Sequence, residues 1–310
     1  AQLDRPFAGC PAHQRLADKQ HPCVLLPMRA LRNEGYGFSE LPVNPDGRVA
    51  LASIAQLGKQ TRLVSVMLAN NETGVVQPIT ELAATYSQER DGWFHTDAVQ
   101  AFGKQPFSFR ELNSAGVSAL TISGHKVCGP KGAAALVRDR EMPLQPLIYG
   151  GGQEAGLRSG TENVAAIVGF GVACERATAN LAGRVRQARE CQAQLENALR
   201  QRGAVIFGSE TERLPNTTYA AFPGIDGETL VSLLDRQNVA ISSGAACGSG
   251  KAGVSPVLQA MGAESALAKG AIRISLGMMS HAASDRHAVE RFVVQLDAVL
   301  SQLQRFAAVA

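Results

Sequence analysis

Short apolar runs rich in β-branched residues alternate with helix-compatible stretches through the first half of this chain. The helix-compatible stretch PITELAATYSQER (78–90) lies between two of these runs. An alternation of strand and helix signals predicts an α/β fold with a mainly parallel sheet. The predicted strands are RLVSVMLA (62–69), GWFHT (92–96), SALTIS (118–123) and GAAALV (132–137).

Several of these predicted strands end in a polar or glycine-rich turn. The turns contain Asn70-Asn71-Glu72, Thr96-Asp97 and Ser123-Gly124-His125-Lys126. In open parallel sheets, ligands bind outside the carboxyl ends of the strands. These turns therefore mark a candidate ligand site.

The pattern changes after Thr161. Residues 162–202 are helical in character for most of their length, and residues 284–310 carry apolar side chains at helical spacing. Short apolar runs lie between them, at 204–208, 216–222, 239–243 and 271–277. We expect a smaller α+β domain at 182–310, joined through a linking helix to a large domain at 1–181.

Composition excludes several classes of function. A formal net charge of +3 gives no electrostatic case for binding nucleic acid or a membrane surface. No apolar run approaches the length that spans a bilayer, and the N-terminal stretch does not read as a signal peptide. The six cysteines show no CxxC pair and no zinc-type spacing, which predicts reduced thiols in a cytoplasmic enzyme without a metal site. They are Cys10, Cys23, Cys128, Cys174, Cys191 and Cys247.

Cys247 lies among small, flexible residues in ISSGAACGSGKAG (241–253). A structural cysteine is usually packed among larger apolar neighbours. The glycines here free the backbone, and the serines favour contact with water. The residues alone leave open whether Cys247 is a mobile reactive thiol or an ordinary loop cysteine.

Four segments carry residues with reactive chemistry. They are HTDAVQ (95–100), SGHKVCGPKG (123–132), GGGQEAGLRSGTEN (150–163) and the segment of Cys247. Singly, each has an ordinary interpretation: a surface lysine at Lys126, a capping pair of His95 with Asp97, or a plain glycine turn. Together they fit a lysine that forms a Schiff base, an aspartate that pairs with a pyridine nitrogen, and serine and histidine donors for a phosphate. This set is what a pyridoxal phosphate enzyme requires.

On these motifs the chain resembles a cysteine desulfurase of the NifS/IscS type, in the class V aminotransferase family of fold type I pyridoxal phosphate enzymes. The resemblance runs from about His21 to the C-terminus. It implies that Lys126 bonds to pyridoxal 5'-phosphate, that Asp97 pairs with the ring nitrogen, and that Gln100 bonds the phenolate oxygen. The remaining implied cofactor contacts are Ser123 and His125 to the phosphate, Thr161 to the phosphate of a second subunit, Asn71 beside the ring, and His21 stacked on it.

The same resemblance implies the reaction. Arg273 of IRISLG, with Asn71, would bind the carboxylate of L-cysteine, and Lys126 or His21 would take the Cα proton. Cys247 would accept the substrate sulfur as a persulfide, leaving L-alanine. The sulfur would pass to an acceptor protein of iron–sulfur cluster or thiolation pathways, and the enzyme would be a homodimer.

The chain departs from the family pattern at its start. Family members carry a sizeable stretch before the stacking histidine, including a Gly-Ala-Thr-type loop that binds the cofactor phosphate at a helix start. Only twenty residues precede His21, and they contain no such loop. Because a helix N-terminus is a strong anion site, we expect weaker cofactor binding. Cys128 stands at a position that is usually aromatic or glycine, and we interpret it as a packed small residue.

Two other functions remain open on sequence grounds. The chain could be another class V enzyme, such as a selenocysteine lyase or an aminotransferase, although a plain aminotransferase needs no thiol at Cys247. It could also be a shortened, non-catalytic paralogue. The presence of Lys126, Asp97, Gln100 and Arg273 argues against loss of catalysis, and the missing phosphate loop argues for it.

Overall fold

The computed structural model describes residues 13–17, 20–88, 91–244, 253–277 and 282–307. Its strands are β1 His13–Ala17, β2 Gly37–Leu41, β3 Thr61–Met67, β4 Trp93–Asp97, β5 Val117–Ser123, β6 Ala134–Arg138, β7 Val205–Ile206, β8 Thr217–Ala221, β9 Ser242–Ser243 and β10 Ala271–Ser275. Its α-helices are α1 Pro22–Asn33, α2 Leu51–Ala55, α3 Ile79–Ser87, α4 Phe109–Ser114, α5 Val164–Thr178, α6 Leu181–Gln201, α7 Gly227–Asp235, α8 Pro256–Ala260, α9 Ser265–Lys269 and α10 Ala282–Ala307.

The first sheet has the strand order β2-β1-β3-β4-β5-β6. Its first five strands run parallel to their neighbours, and β6 runs antiparallel to β5. The predicted α/β fold with a mainly parallel sheet is confirmed. The short connection from β5 to β6 contains no crossover helix, so the chain can only reverse its direction there.

The core of this sheet lies around its central strands. Val64 and Val66 of β3 and Phe94 of β4 are fully buried, because helices cover both faces of a parallel sheet. Helix α3 packs through Leu82 and Tyr86, and the Tyr86 hydroxyl donates to the main-chain oxygen of Thr61 at 2.8 Å. This packing fixes the strands whose ends carry the candidate site.

The second sheet has the order β7-β8-β10-β9, and its described pairs are antiparallel. Helices α6, α7 and α10 pack against it around Leu195, Leu230, Ile272 and Leu296. It forms the α+β half expected from the sequence. The proposed division at 181/182 falls at the start of α6 and stays a prediction.

Helices α5 and α6 meet at a sharp bend. Asn180, between them, adopts a left-handed backbone with φ of 48°. Within the described residues no single helix is long and apolar enough to cross a membrane. Helices α5 and α6 together have sufficient length and apolar composition, but the pair is bent by 70°. The predicted linking helix is thus two helices.

Candidate active site

The predicted turns converge at one edge of the first sheet. Strands β3, β4 and β5 are adjacent and parallel, and their register places Asp97 opposite both Met67 and Thr121. The turn with Asn71, the end of β4 and the turn with Lys126 therefore lie side by side. This is the arrangement that ligand sites of open parallel sheets use.

The turn after β3 is held tightly by its own side chains. The Asn70 side-chain oxygen accepts from the amides of Glu72 and Thr73, both at 2.9 Å. Gly74 has a φ of +75°, in the left-handed region that favours glycine. Asn71 and Glu72 are each 9% exposed, so this turn presents both residues in a fixed, buried position.

Asp97 ends β4 as a buried carboxylate. Its Oδ1 accepts from the Val99 amide at 2.9 Å. Burial raises the pKa of Asp97, while that hydrogen bond and the charge of His21 lower it. Because a buried carboxylate is stabilised by a cationic partner, this environment suits a protonated ring nitrogen.

Lys104 fixes the orientation of Gln100. The Lys104 Nζ donates to the Gln100 Oε1 at 3.0 Å, so the amide nitrogen of Gln100 remains as its hydrogen-bond donor. Burial, together with the charges of Lys126 and Arg273, lowers the pKa of Lys104 to about 8. Lys104 therefore belongs to the same group of cations, although the sequence analysis did not identify it.

A 3₁₀ turn at Gly124–Val127 presents the residues after β5. The Ser123 Oγ and the His125 Nδ1 are 2.9 Å apart, and the side chains of His125 and Lys126 are exposed. Burial and the charges of Lys126 and Lys131 lower the pKa of His125. The turn thus gathers a hydroxyl, an imidazole and ammonium groups, which suit a phosphate group.

His21 is the N-cap of α1 and lies near enough to Asp97 to influence its pKa. The Gln20 side chain donates to the main-chain oxygen of Ser65 at 3.0 Å, which ties this segment to β3. The His21 Nδ1 accepts from the Cys23 amide at 3.2 Å and lies 2.9 Å from the Cys23 Sγ. Burial and the charge of Asp97 raise the pKa of Cys23, so its thiol stays protonated near neutral pH.

Arg273 reaches the site from the second sheet. Its Nη1 donates to the main-chain oxygen of Asn71 at 2.9 Å, and its Nη2 lies 3.4 Å from the Ser242 Oγ. Its Nε is buried with no hydrogen-bond partner in the part of the chain that the structure describes. A buried, incompletely satisfied guanidinium suits a carboxylate ligand, which it can bind through two parallel bonds.

Two predicted residues are not placed with the others. Thr161 is exposed, after a loop closed by the Ser159 Oγ, which donates to the main-chain oxygen of Gly151 at 2.9 Å. Cys247 lies outside the described residues. The structure therefore brings together eight of the ten predicted residues, namely His21, Asn71, Asp97, Gln100, Ser123, His125, Lys126 and Arg273.

The structure corrects one interpretation of His95. It forms no capping pair with Asp97, because its Nδ1 lies 2.8 Å from the Ser65 Oγ and its Nε2 lies 2.9 Å from the Thr121 Oγ1. Burial lowers the pKa of His95 to about 4, so the ring is neutral near pH 7. His95 links β3, β4 and β5, and it lies on the same face of the sheet as Asp97, two residues further along β4.

The donor set fits pyridoxal 5'-phosphate. A buried carboxylate suits the ring nitrogen, an oriented amide suits the phenolate oxygen, and the turn after β5 offers hydroxyl, imidazole and ammonium groups. No cluster of His, Cys, Asp or Glu that could hold a metal ion occurs among the residues with described coordinates. The fold and this site together define a class V aminotransferase.

Comparison with known families agrees with this class. The family model described as Aminotransferase class-V matches residues 15–286, and the chain belongs to that family. Within it, the chain falls with the cysteine desulfurases of the NifS type. A curated cysteine desulfurase of Cereibacter sphaeroides is 42% identical over 276 residues, which are 88% of this chain and 68% of that protein.

Solved structures give the same result. A NifS-like protein has a TM-score of 0.87 and 34% identity, with 96% of this chain and 77% of that chain covered. A structure of SspA in complex with cysteine has a TM-score of 0.69 and 32% identity, and the match covers 85% of this chain and 73% of that chain. The chain spans about two thirds of the length of the curated relatives that it matches, from 63% to 70%.

Proposed function

We propose that this protein is a pyridoxal phosphate-dependent cysteine desulfurase. It converts L-cysteine to L-alanine and holds the released sulfur as a persulfide on Cys247 for an acceptor protein. One observation carries the proposal: Arg273, from the second sheet, bonds to Asn71 at the sheet edge that also carries Asp97 and Lys126. A carboxylate clamp thus stands beside a lysine and a buried aspartate.

The cofactor would be held by residues of the first sheet. Lys126 would bond to it, Asp97 would pair with its ring nitrogen, and Gln100 would donate to its phenolate oxygen. Ser123 and His125 would bind its phosphate. When bound, pyridoxal phosphate supplies an electron sink for a substrate that loses its Cα proton.

Arg273 would orient the substrate. Its guanidinium is planar and matches a carboxylate through two bonds, and its bond to Asn71 fixes the plane of the fork. The structure favours Lys126 over His21 as the group that takes the Cα proton. The His21 Nδ1 is already engaged by the Cys23 amide at 3.2 Å, whereas the Lys126 side chain is exposed at the carboxyl end of β5.

The sulfur step balances without an external oxidant. The Cys247 thiolate attacks the substrate sulfur, a sulfur–sulfur bond forms, and the bond between Cβ and sulfur breaks. The electron pair stays on Cβ, which is protonated to complete L-alanine. The sulfur on Cys247 is then available to the thiol of an acceptor protein.

We further propose that two copies pair through an exposed apolar face. The residues that we assign to this face are Leu147 and Tyr149, which are 97% and 69% exposed, and Val164 and Val168 of α5, which are 63% and 60% exposed. Several large apolar side chains left exposed within residues 147–168 are typical of an interaction surface. Exposed Thr161 lies in the same stretch, where it could reach the cofactor phosphate of the other copy.

The test is a product assay on the purified, cofactor-loaded protein. With L-cysteine we expect one persulfide on the peptide containing Cys247 before an acceptor thiol is added, and continuous alanine release once a reducing thiol is present. L-Alanine as substrate is the matched control, since it binds Arg273 but has no sulfur to release. Alanine formation from selenocysteine alone would instead identify a selenocysteine lyase.

A further inference from the structure

Glu72 joins the two sheets through one buried carboxylate oxygen. Its Oε2 accepts from the Ser255 Oγ at 2.5 Å and from the Tyr219 hydroxyl at 3.2 Å. Glu72 belongs to the turn after β3, whereas Tyr219 lies on β8 and Ser255 caps the start of α8. The carboxylate therefore holds two separate elements of the second half of the chain.

Both donors are as buried as the carboxylate that receives them. Tyr219 is 0% exposed and Ser255 is 1% exposed, against 9% for Glu72. Burial raises the pKa of Glu72, and the two hydroxyl donors and the charge of Arg273 lower it. Because an unpaired buried carboxylate is costly, these bonds are maintained wherever the two halves stay packed.

The partners of Glu72 surround residues that the proposed reaction uses. Tyr219 lies directly opposite Arg273 in the antiparallel pair of β8 with β10. A Cβ at Gly244 would overlap the Tyr219 hydroxyl, so the chain packs closely there. In the sequence, Gly244 and Ser255 stand on either side of Cys247. Glu72 thus contacts Tyr219 and Ser255 directly. Tyr219 in turn pairs with Arg273 and packs against Gly244, so Glu72 influences the positions of both residues.

We infer that Glu72 is a positioning residue for this site. Its carboxylate sets the position of the strand that carries Arg273 and of the two described residues, Gly244 and Ser255, between which Cys247 lies in the sequence. The inference rests on the proposed function for its effect on L-cysteine. Its structural part does not depend on that function.

The central variant is Glu72→Gln, which keeps the shape of the side chain and removes its charge. We expect the bonds to Tyr219 and Ser255 to weaken, the strand of Arg273 to lose its fixed position, and the KM for L-cysteine to rise about tenfold, with cofactor content unchanged by absorbance. Hydrogen exchange measured by mass spectrometry should speed up in the peptides that contain Gly244 and Leu258. Tyr219→Phe, which removes one of the two donors, should give a smaller change in the same direction.

Glu196→Gln is the matched control, because Glu196 is a buried carboxylate that pairs with Arg213 and accepts from Thr218, whose side chain lies on the opposite face of β8 from Tyr219. It should lower thermal stability without changing the KM. Two results would overturn the inference. One is a hydrogen-exchange rate in the Gly244 and Leu258 peptides that is the same in the Glu72 variant and in this control. The other is an unchanged KM in the Glu72 variant. If the wild-type protein makes no alanine from L-cysteine, the proposed function fails, and the exchange comparison alone decides the role of Glu72.

Discussion

Arg273 and Asn71 stand 202 positions apart in the chain, and the Arg273 Nη1 donates to the main-chain oxygen of Asn71 at 2.9 Å. This bond joins the edge of one sheet to a strand of the other. It aims a guanidinium at the side of the molecule where Asp97 and Lys126 lie. The proposed substrate site is therefore shared between the two halves of the chain.

Replacing Arg273 by lysine should weaken substrate binding. A lysine cannot form the two parallel bonds of a guanidinium with a carboxylate, so the KM for L-cysteine should rise by about 30-fold, or about 2 kcal/mol. Steady-state kinetics measure the change. Ser242→Ala is the control, since it removes only the 3.4 Å contact to Nη2 and should change the KM less than about threefold. Equal effects of both variants would contradict the assigned role.

Lys126→Ala should abolish the visible absorbance of the covalently bound cofactor and all turnover. The residue is exposed at the carboxyl end of β5 and has the amine that the bond requires. Borohydride reduction followed by mass spectrometry checks the bond, with Lys131→Ala as the control that should retain it. Cofactor bound covalently to the Lys126→Ala protein would show that another lysine forms the bond to the cofactor.

Cys247→Ala should keep the cofactor absorbance and its response to L-cysteine while forming no persulfide. Loss of a nucleophile commonly costs several orders of magnitude, so alanine release should fall about 1,000-fold or more. Mass spectrometry of the persulfide-bearing peptide, beside an alanine assay, gives the answer. Cys128 is exposed, so the interpretation of it as a packed small residue was wrong, and Cys128→Ala should behave as wild type. A persulfide on Cys128 would refute the assignment to Cys247.

The stability of the fold should depend on His95 in acid. Its pKa is lowered from 6.5 to about 4 in the folded protein, so between these values the unfolded chain binds the extra proton. Stability is therefore complete above about pH 6.5 and falls toward pH 4, by at most about 3 kcal/mol from this group. Urea unfolding as a function of pH measures the slope. The His95→Asn variant should be less stable at pH 7, and its free energy of unfolding should depend less on pH between 4 and 6.5. An unchanged pH dependence in this variant would exclude His95 as its source.

Val168→Arg should separate the proposed dimer. Val168 is 60% exposed on α5, and an arginine in an apolar interface would leave a buried charge without a partner. Sedimentation velocity distinguishes dimer from monomer. Val294→Arg is the matched control, because Val294 is 63% exposed on α10, and it should leave the assembly intact. A wild-type protein that sediments as a monomer while fully loaded with cofactor would contradict the proposal.

Local patterns predicted the parts of the site that a single strand and its turn create. The apolar runs of β3, β4 and β5 are recognisable because strands buried on both faces need continuous apolar sequence. Asp97 and Lys126 follow such runs directly, so their placement at the sheet edge could be expected. The strand β1 could not be expected, because HQRLA lacks an apolar pattern and its conformation depends on pairing with β2 and β3.

The sequence by itself thus determined the sheet, the turns at its edge and the residue types that pyridoxal phosphate chemistry requires. The tertiary structure alone decided that Arg273 meets Asn71, that Lys104 orients Gln100, and that Glu72 receives the hydroxyls of Tyr219 and Ser255. The physical reason is the range of the interactions. Strand and turn propensities act between neighbours in the chain, whereas a buried carboxylate or guanidinium is satisfied by whatever donor or acceptor the packing of two sheets brings within about 3 Å.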